Sequence, residues 1–184
     1  MDQQDELREL RQMVQRLQDR QDILYVIVRE SRGRDRHDAE LTASCYWPEG
    51  ADEHGPVPFP ATDYPEIANR GHAAAFAANQ HNLTNHLCEI DGDTAYCETY
   101  VVGMLLALDG RTCTVAAGRY MDQLERRDGE WRILWRRSTV EMAAVGDATW
   151  LQSPPVKGFL RGTRDRTDVS YHRPYVIGGP GARW

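Results

Sequence analysis

Two residues of this chain are suited by type to move a proton near neutral pH: His81, in NQHNLTN, and Asp35, in SRGRDRHD. Histidine titrates in that range, and a histidine acting as a base needs a carboxylate to fix its tautomer and stabilise the imidazolium. Asp38 is the nearest alternative to Asp35, and Asp35 can instead cap the helix that follows and pair with Arg34 or Arg36. Strict alternation along an extended strand puts His81 and Asn85 on one face and His86 on the other. Arg136 and Arg137 are adjacent cations closing GEWRILWRR; alternation with Trp131, Ile133 and Trp135 alone puts Arg137 on the more apolar face. Tyr46 and Tyr120 are candidate hydroxyl donors, and Glu30 reads as an acid facing solvent.

Other chemistries lack support. The four cysteines, at 45, 88, 97 and 113, show no CxxC spacing, and HExxH and HxH are absent, so no metal is expected. Phosphate-cradling glycine loops and GxSxG are missing as well, which argues against nucleotide cofactors and serine hydrolysis. A net charge of −6, with no basic cluster, argues against nucleic acid as partner. The N-terminus has neither the basic nor the apolar region of a signal peptide, and no run approaches a membrane span. Reduced thiols, a cytoplasmic location and a small-molecule partner are the expectation.

The positioning elements follow from periodicity. Leu7, Leu10, Val14, Leu17, Leu24 and Val28 form an apolar seam on one helix over residues 5 to 30, broken near Gly33, with its first half free to pack on a neighbouring chain. A short helix covers 39 to 46. Residues 48 to 66 hold five of the nine prolines and read as a loop, and a third helix runs from Pro65 to about Gln80. Segments 84–90, 94–108, 111–126 and 130–143 alternate and are divided by DGD, DG and DG turns, the pattern of antiparallel hairpins. Helices followed by a meander give an α+β domain over residues 1–145. Residues 146–184, rich in proline and glycine, form an extended tail. Its apolar side chains need a surface, and a lid over a cavity, with Arg161, Arg164 or Arg166 paired to acids, is the expectation for 150–177.

RGRDRHD, YWPEG, DEHG, HxxTN (81–85), EIDGDTAYCET and GRYMDQLERRDGEWRI, in that order, resemble the SnoaL-like branch of the nuclear transport factor 2-like superfamily over residues 20–143. The resemblance implies a cone in which a curved antiparallel sheet wraps against three helices around an apolar pocket. It also implies a cofactor-independent lyase, in the manner of scytalone dehydratase, hexachlorocyclohexane dehydrochlorinase, bile acid 7α-dehydratase and polyketide cyclases. Asp35 and His81 match the family's catalytic pair, and Arg136 matches its leaving-group arginine. The implied substrate is an apolar hydroxylated ring compound of aryl, polyketide or steroid-like type, undergoing dehydration, elimination or retro-aldol release of an aldehyde. A homotrimer is implied as well. The alternatives are a double-bond isomerase or cyclase, and a non-catalytic scaffold like the β subunits of ring-hydroxylating dioxygenases.

Overall fold

A computed structural model describes residues 2–184. Helix α1 (Gln3–Asp35) starts where the Asp2 side chain accepts from the Gln4 and Asp5 amides and, contrary to the expected break, runs through Gly33 to Asp35. Its seam residues Leu7, Leu10, Val14 and Leu17 are exposed, and Val28 is 43% exposed. The buried stripe is Asp19, Ile23, Val26, Ile27, Glu30 and Arg34, on another side of the helix. Charges on that stripe conceal it from a hydropathy pattern.

Gly33 is needed because α2 (Ala39–Ala43) crosses there: a Cβ at position 33 would lie 2.3 Å from Thr42 Oγ1 and 2.9 Å from the Thr42 backbone nitrogen. Two terms oppose in Gly33→Ala. Helix propensity favours alanine by about 1 kcal/mol, while overpacking against immovable backbone costs about 1–3 kcal/mol. Overpacking should win, lowering the melting temperature, whereas Gly71→Ala, on a helix with nothing within 4 Å of the new Cβ, should raise it. Thermal denaturation of both variants checks the opposite signs.

The sheet begins earlier than the prolines suggest. Residues read as loop contain β1 (Tyr46–Glu53) and β2 (Phe59–Pro60), with Pro48 near the start of β1. Helix α3 (Tyr64–Ala75) stops five residues before Gln80, and β3 (Phe76–Asp91) takes over. Then follow β4 (Thr94–Ala107), β5 (Thr112–Arg127), β6 (Glu130–Ser138) and β7 (Met142–Asp147). The order is β2-β1-β6-β5-β4-β3, β1 and β6 running parallel. Past Gly118, β5 exchanges β7 for β6, and a Cβ on Gly118 would meet the Thr139 carbonyl oxygen at 1.9 Å. The 130–143 segment therefore divides at 139–141.

Ile23, Ile27, Tyr46, Tyr64, Leu124, Trp131 and Ile133 fill the core between α1, α3 and the concave side of the sheet. No helix among the described residues is long and apolar enough to cross a membrane. The tail docks, with short 3-10 turns and a bridge between Leu160 and Arg183. Arg166 and the Tyr171 hydroxyl both reach Asp38, at 3.2 and 2.7 Å. Trp150, Leu151 and Trp184 face Met104, Leu106 and Val115 across a separate cavity of about 620 Å³. These three sheet residues precede or follow cavity-facing neighbours, so they lie on the convex side. The apolar part of the tail thus packs outside the cone, and the expected lid is corrected: no tail residue lines the cavity holding His81.

Candidate active site

Asp35 occupies the last position of α1, and β3 brings His81 against it. His81 Nδ1 lies 2.7 Å from Asp35 Oδ1, the side chains being 6% and 10% exposed. The carboxylate also accepts the His81 backbone N–H, at 3.0 Å to Oδ2, and Asn79 Nδ2 at 3.1 Å. A carboxylate is an acceptor only, so Nδ1 carries the proton and Nε2 holds the free lone pair. Asp38 is committed elsewhere, capping Leu41 and binding the tail.

His81 opens on a cavity of about 360 Å³, within the range of small-molecule pockets. Val101, Leu105, Ala116 and Val140 supply apolar wall; Arg34, His54, His72, Tyr120 and Ser138 supply polar groups. Gly103 faces His81 across β4 and leaves space in front of the ring. The His72 and His81 ring centroids are 5.9 Å apart.

Burial, then the nearby Arg34 charge, pushes the His72 imidazolium down to about 3. The same causes, in the same order, lower His54. Both rings are therefore neutral where His81 would work. A depressed histidine has a definite linkage sign. Between about pH 6.5 and 3 the unfolded chain binds the His72 proton and the native state does not, so stability falls on acidification through that window. His72 contributes a slope of up to about 1.4 kcal/mol per pH unit, and His72→Asn should flatten urea midpoints measured from pH 7 to 4.

Several expected residues sit elsewhere. Arg136 does point inward, and Arg137 is 68% exposed and paired with Glu53, but Arg136 lines no cavity. Its side chain is 0% exposed, with Nε 2.6 Å from Asp122 Oδ1, Nη1 on Glu30 and the guanidinium 4.2 Å from the Tyr120 ring centroid. Glu30, read as solvent-facing, is fully buried as its partner. Tyr46 donates to Asp52 at 2.6 Å in the core and does not reach the cavity. Tyr120 does line it. Asn85 is exposed, because β3 bulges: Leu83 pairs with Val101 but His86 with Thr99. One extra residue reverses the facing of everything after it. His86 and Cys88 consequently share the inner face with His81, and Asn85 and Leu87 turn out.

Arg34 was the cation missed. It is 1% exposed, lies beside His54 at 3.5 Å and keeps a buried Nε without a hydrogen-bond partner. Its sequence signal was only adjacency to Asp35. Asn79, bonded to Asp35, was missed because the third helix was extended over it.

A cone of curved sheet on three helices, closed around a cavity at the helix ends, is the architecture of the nuclear transport factor 2-like superfamily. A SnoaL-like domain family matches residues 15–137, well over half the chain, and the protein belongs to it. Among solved structures, a hexachlorocyclohexane dehydrochlorinase (LinA type 2) superposes with TM-score 0.67 at 20% identity, covering 72% of this chain and 92% of that one. A provisionally assigned scytalone dehydratase from Novosphingobium aromaticivorans gives 0.64 at 18%, covering 70% and 88%. An Asp-to-Asn variant of a protein of unknown function from Mycobacterium tuberculosis gives 0.63 at 27%, covering 70% and 75%. No curated protein matches the sequence.

Proposed function

We propose that the protein is a cofactor-independent lyase that eliminates water, or a comparable leaving group, from an apolar hydroxylated ring compound. The observation carrying this reading is the 2.7 Å Asp35–His81 contact on the wall of a cavity that is otherwise largely apolar. His81 Nε2 takes a proton from the carbon next to the one bearing the hydroxyl, electrons move to form the double bond, and the hydroxyl leaves as water with the proton that the His81 imidazolium returns to it. Asp35 stabilises the imidazolium so formed. Arg34, the cation on the cavity wall, replaces Arg136 as the group that steadies the departing or carbonyl oxygen. The names of the dehydratase and dehydrochlorinase neighbours agree with elimination. Retro-aldol release of an aldehyde would use the same pair with His81 taking the hydroxyl proton instead, the electron pair of the carbon–carbon bond passing to the carbon that is then reprotonated. Double-bond isomerisation would use the carbon proton transfer, and the cavity volume sets the size of ring system admitted.

A homo-oligomer, by family resemblance a trimer, accompanies this reading. Its support is the exposed apolar surface at Leu10, Leu17, Met104, Met142 and Val145. The test is a screen of aryl diols and β-hydroxy ketones with the purified chain and no added nucleotide or flavin, followed by mass spectrometry. A product lighter by one water, formed in proportion to enzyme, is expected. Absence of turnover across both classes, with tight binding of the same compounds, would convert the reading to a binding pocket.

A further inference from the structure

The bulge in β3 does more than turn Asn85 outward. It places His86 and Cys88 on the inner face, directly beside Cys97, which pairs with Cys88 across β3 and β4. One donor atom from each of the three residues lies within 4.8 Å of the others. Cys88 and Cys97 are 8% and 6% exposed, and both are free thiols. His86 Nδ1 is 2.8 Å from the Thr99 hydroxyl, and its Nε2 is buried with no hydrogen-bond partner.

We propose that His86, Cys88 and Cys97 form a site for a thiophilic metal ion, zinc in the first instance, held by His86 Nε2 and the two sulfurs. Several observations converge on it. Two thiols and an imidazole are a donor set suited to zinc or cuprous ion and unsuited to the hard cations that prefer oxygen. Two thiolates balance the charge of Zn²⁺, so a neutral unit is buried rather than a net charge. With a metal on Nε2, Nδ1 carries the proton and donates it to the Thr99 hydroxyl 2.8 Å away, which is how the outer nitrogen of a metal-bound histidine is commonly held. That buried Nε2 otherwise goes without a hydrogen bond. Tetrahedral zinc needs ligand atoms about 3.5–3.8 Å apart, given its bond lengths; small side-chain rotations close the present spacing. The fourth position falls to water. None of the three residues lines the His81 cavity, and both cysteines belong to the apolar core, so the ion pins β3 to β4 beyond the bulge and takes no part in proton transfer.

No contiguous motif announces this set. Residues i and i+2 of a strand share a face, but the third ligand comes from the neighbouring strand nine residues later, across the DGD turn.

The experiment uses the full chain, stripped of metal and reduced, titrated with Co²⁺ under argon. A thiolate-to-cobalt charge-transfer band should saturate at one equivalent and vanish on adding Zn²⁺. Zn²⁺ should also protect two of the four thiols from a thiol reagent and raise the melting temperature. Cys88→Ser and Cys97→Ser should abolish the band. His86→Gln, which retains both thiols and reports independently should a serine variant fail to fold, should weaken cobalt binding at least tenfold. Cys45→Ser and Cys113→Ser should bind as the unmodified chain does. The proposal is overturned if the folded, reduced protein gives no thiolate band with stoichiometric Co²⁺, or if His86→Gln binds with unchanged affinity. Isolation of a Cys88–Cys97 disulfide whose reduction yields no metal-binding species would overturn it equally.

Discussion

Asp35→Asn is expected to lower kcat roughly a thousandfold, in the range by which a positioned acid–base group accelerates proton transfer, and His81→Gln should do at least as much. The two changes act on one event. Asparagine can still accept the His81 N–H and so preserve most of the local geometry, but it brings no charge to stabilise an imidazolium. Its amide can also donate to Nδ1, holding the ring in the tautomer whose Nε2 carries the proton and cannot act as base. His81→Gln removes the base itself. Because the residues work as a unit, the double variant should fall little below the worse single one. His72→Asn is the control: its ring is 5.9 Å from His81 and is kept neutral by burial, so its loss should cost far less. Single-turnover rates on the hydroxylated ring compound found by screening, with circular dichroism to verify folding, provide the measurement. Retention of more than a tenth of the activity in both Asp35→Asn and His81→Gln would remove the pair from the mechanism.

The pair was legible because two motifs placed it on elements the cone must join, and the alternating strands gave the sheet. What failed failed for local physical reasons. Proline at the start of β1 is tolerated at a strand end, so a proline-rich stretch hid two strands. The inward stripe of α1 carries Asp19, Glu30 and Arg34, whose partners lie far along the chain: Asp19 accepts from Trp131 Nε1 at 3.0 Å, and Glu30 binds Arg136. Without those partners in view, the hydrophobic seam of the free half of the helix dominates the pattern. Asn85 was misplaced by a bulge of one residue, which no composition signal marks. Alternation alone selects Arg137, but β6 carries one extra residue between Ile133 and Trp135, so Arg136 turns inward as the resemblance implies. Its two carboxylate partners come from α1 and β5, and no strand pattern says whether an inward arginine meets a substrate or a protein acid.

That last distinction has a large expected consequence. Arg136→Met should destabilise the protein by about 3–5 kcal/mol, the cost of leaving buried charge uncompensated, which for a chain of this size lowers the melting temperature by about 6–20 °C. The guanidinium makes two bonds to Asp122, at 2.6 and 2.9 Å, and a third to Glu30, all among side chains with no exposure. Burial raises the Asp122 carboxyl against the pull of Arg136, and two acids share one cation among side chains with no exposure. Glu30→Gln keeps an acceptor for the arginine and removes one of the competing charges, so it should cost much less, about 1 kcal/mol. Replacing Arg136, Glu30 and Asp122 together with Met, Leu and Leu should recover much of the loss in Arg136→Met, since the desolvation of all three charges disappears along with their attraction. An arginine that served the substrate would behave in the opposite way: its removal would spare, or raise, the melting temperature and appear in kcat alone. Calorimetry of the three variants beside their turnover separates the roles, and a melting temperature for Arg136→Met within 2 °C of the parent (under about 1 kcal/mol), with activity lost, would return Arg136 to the reaction.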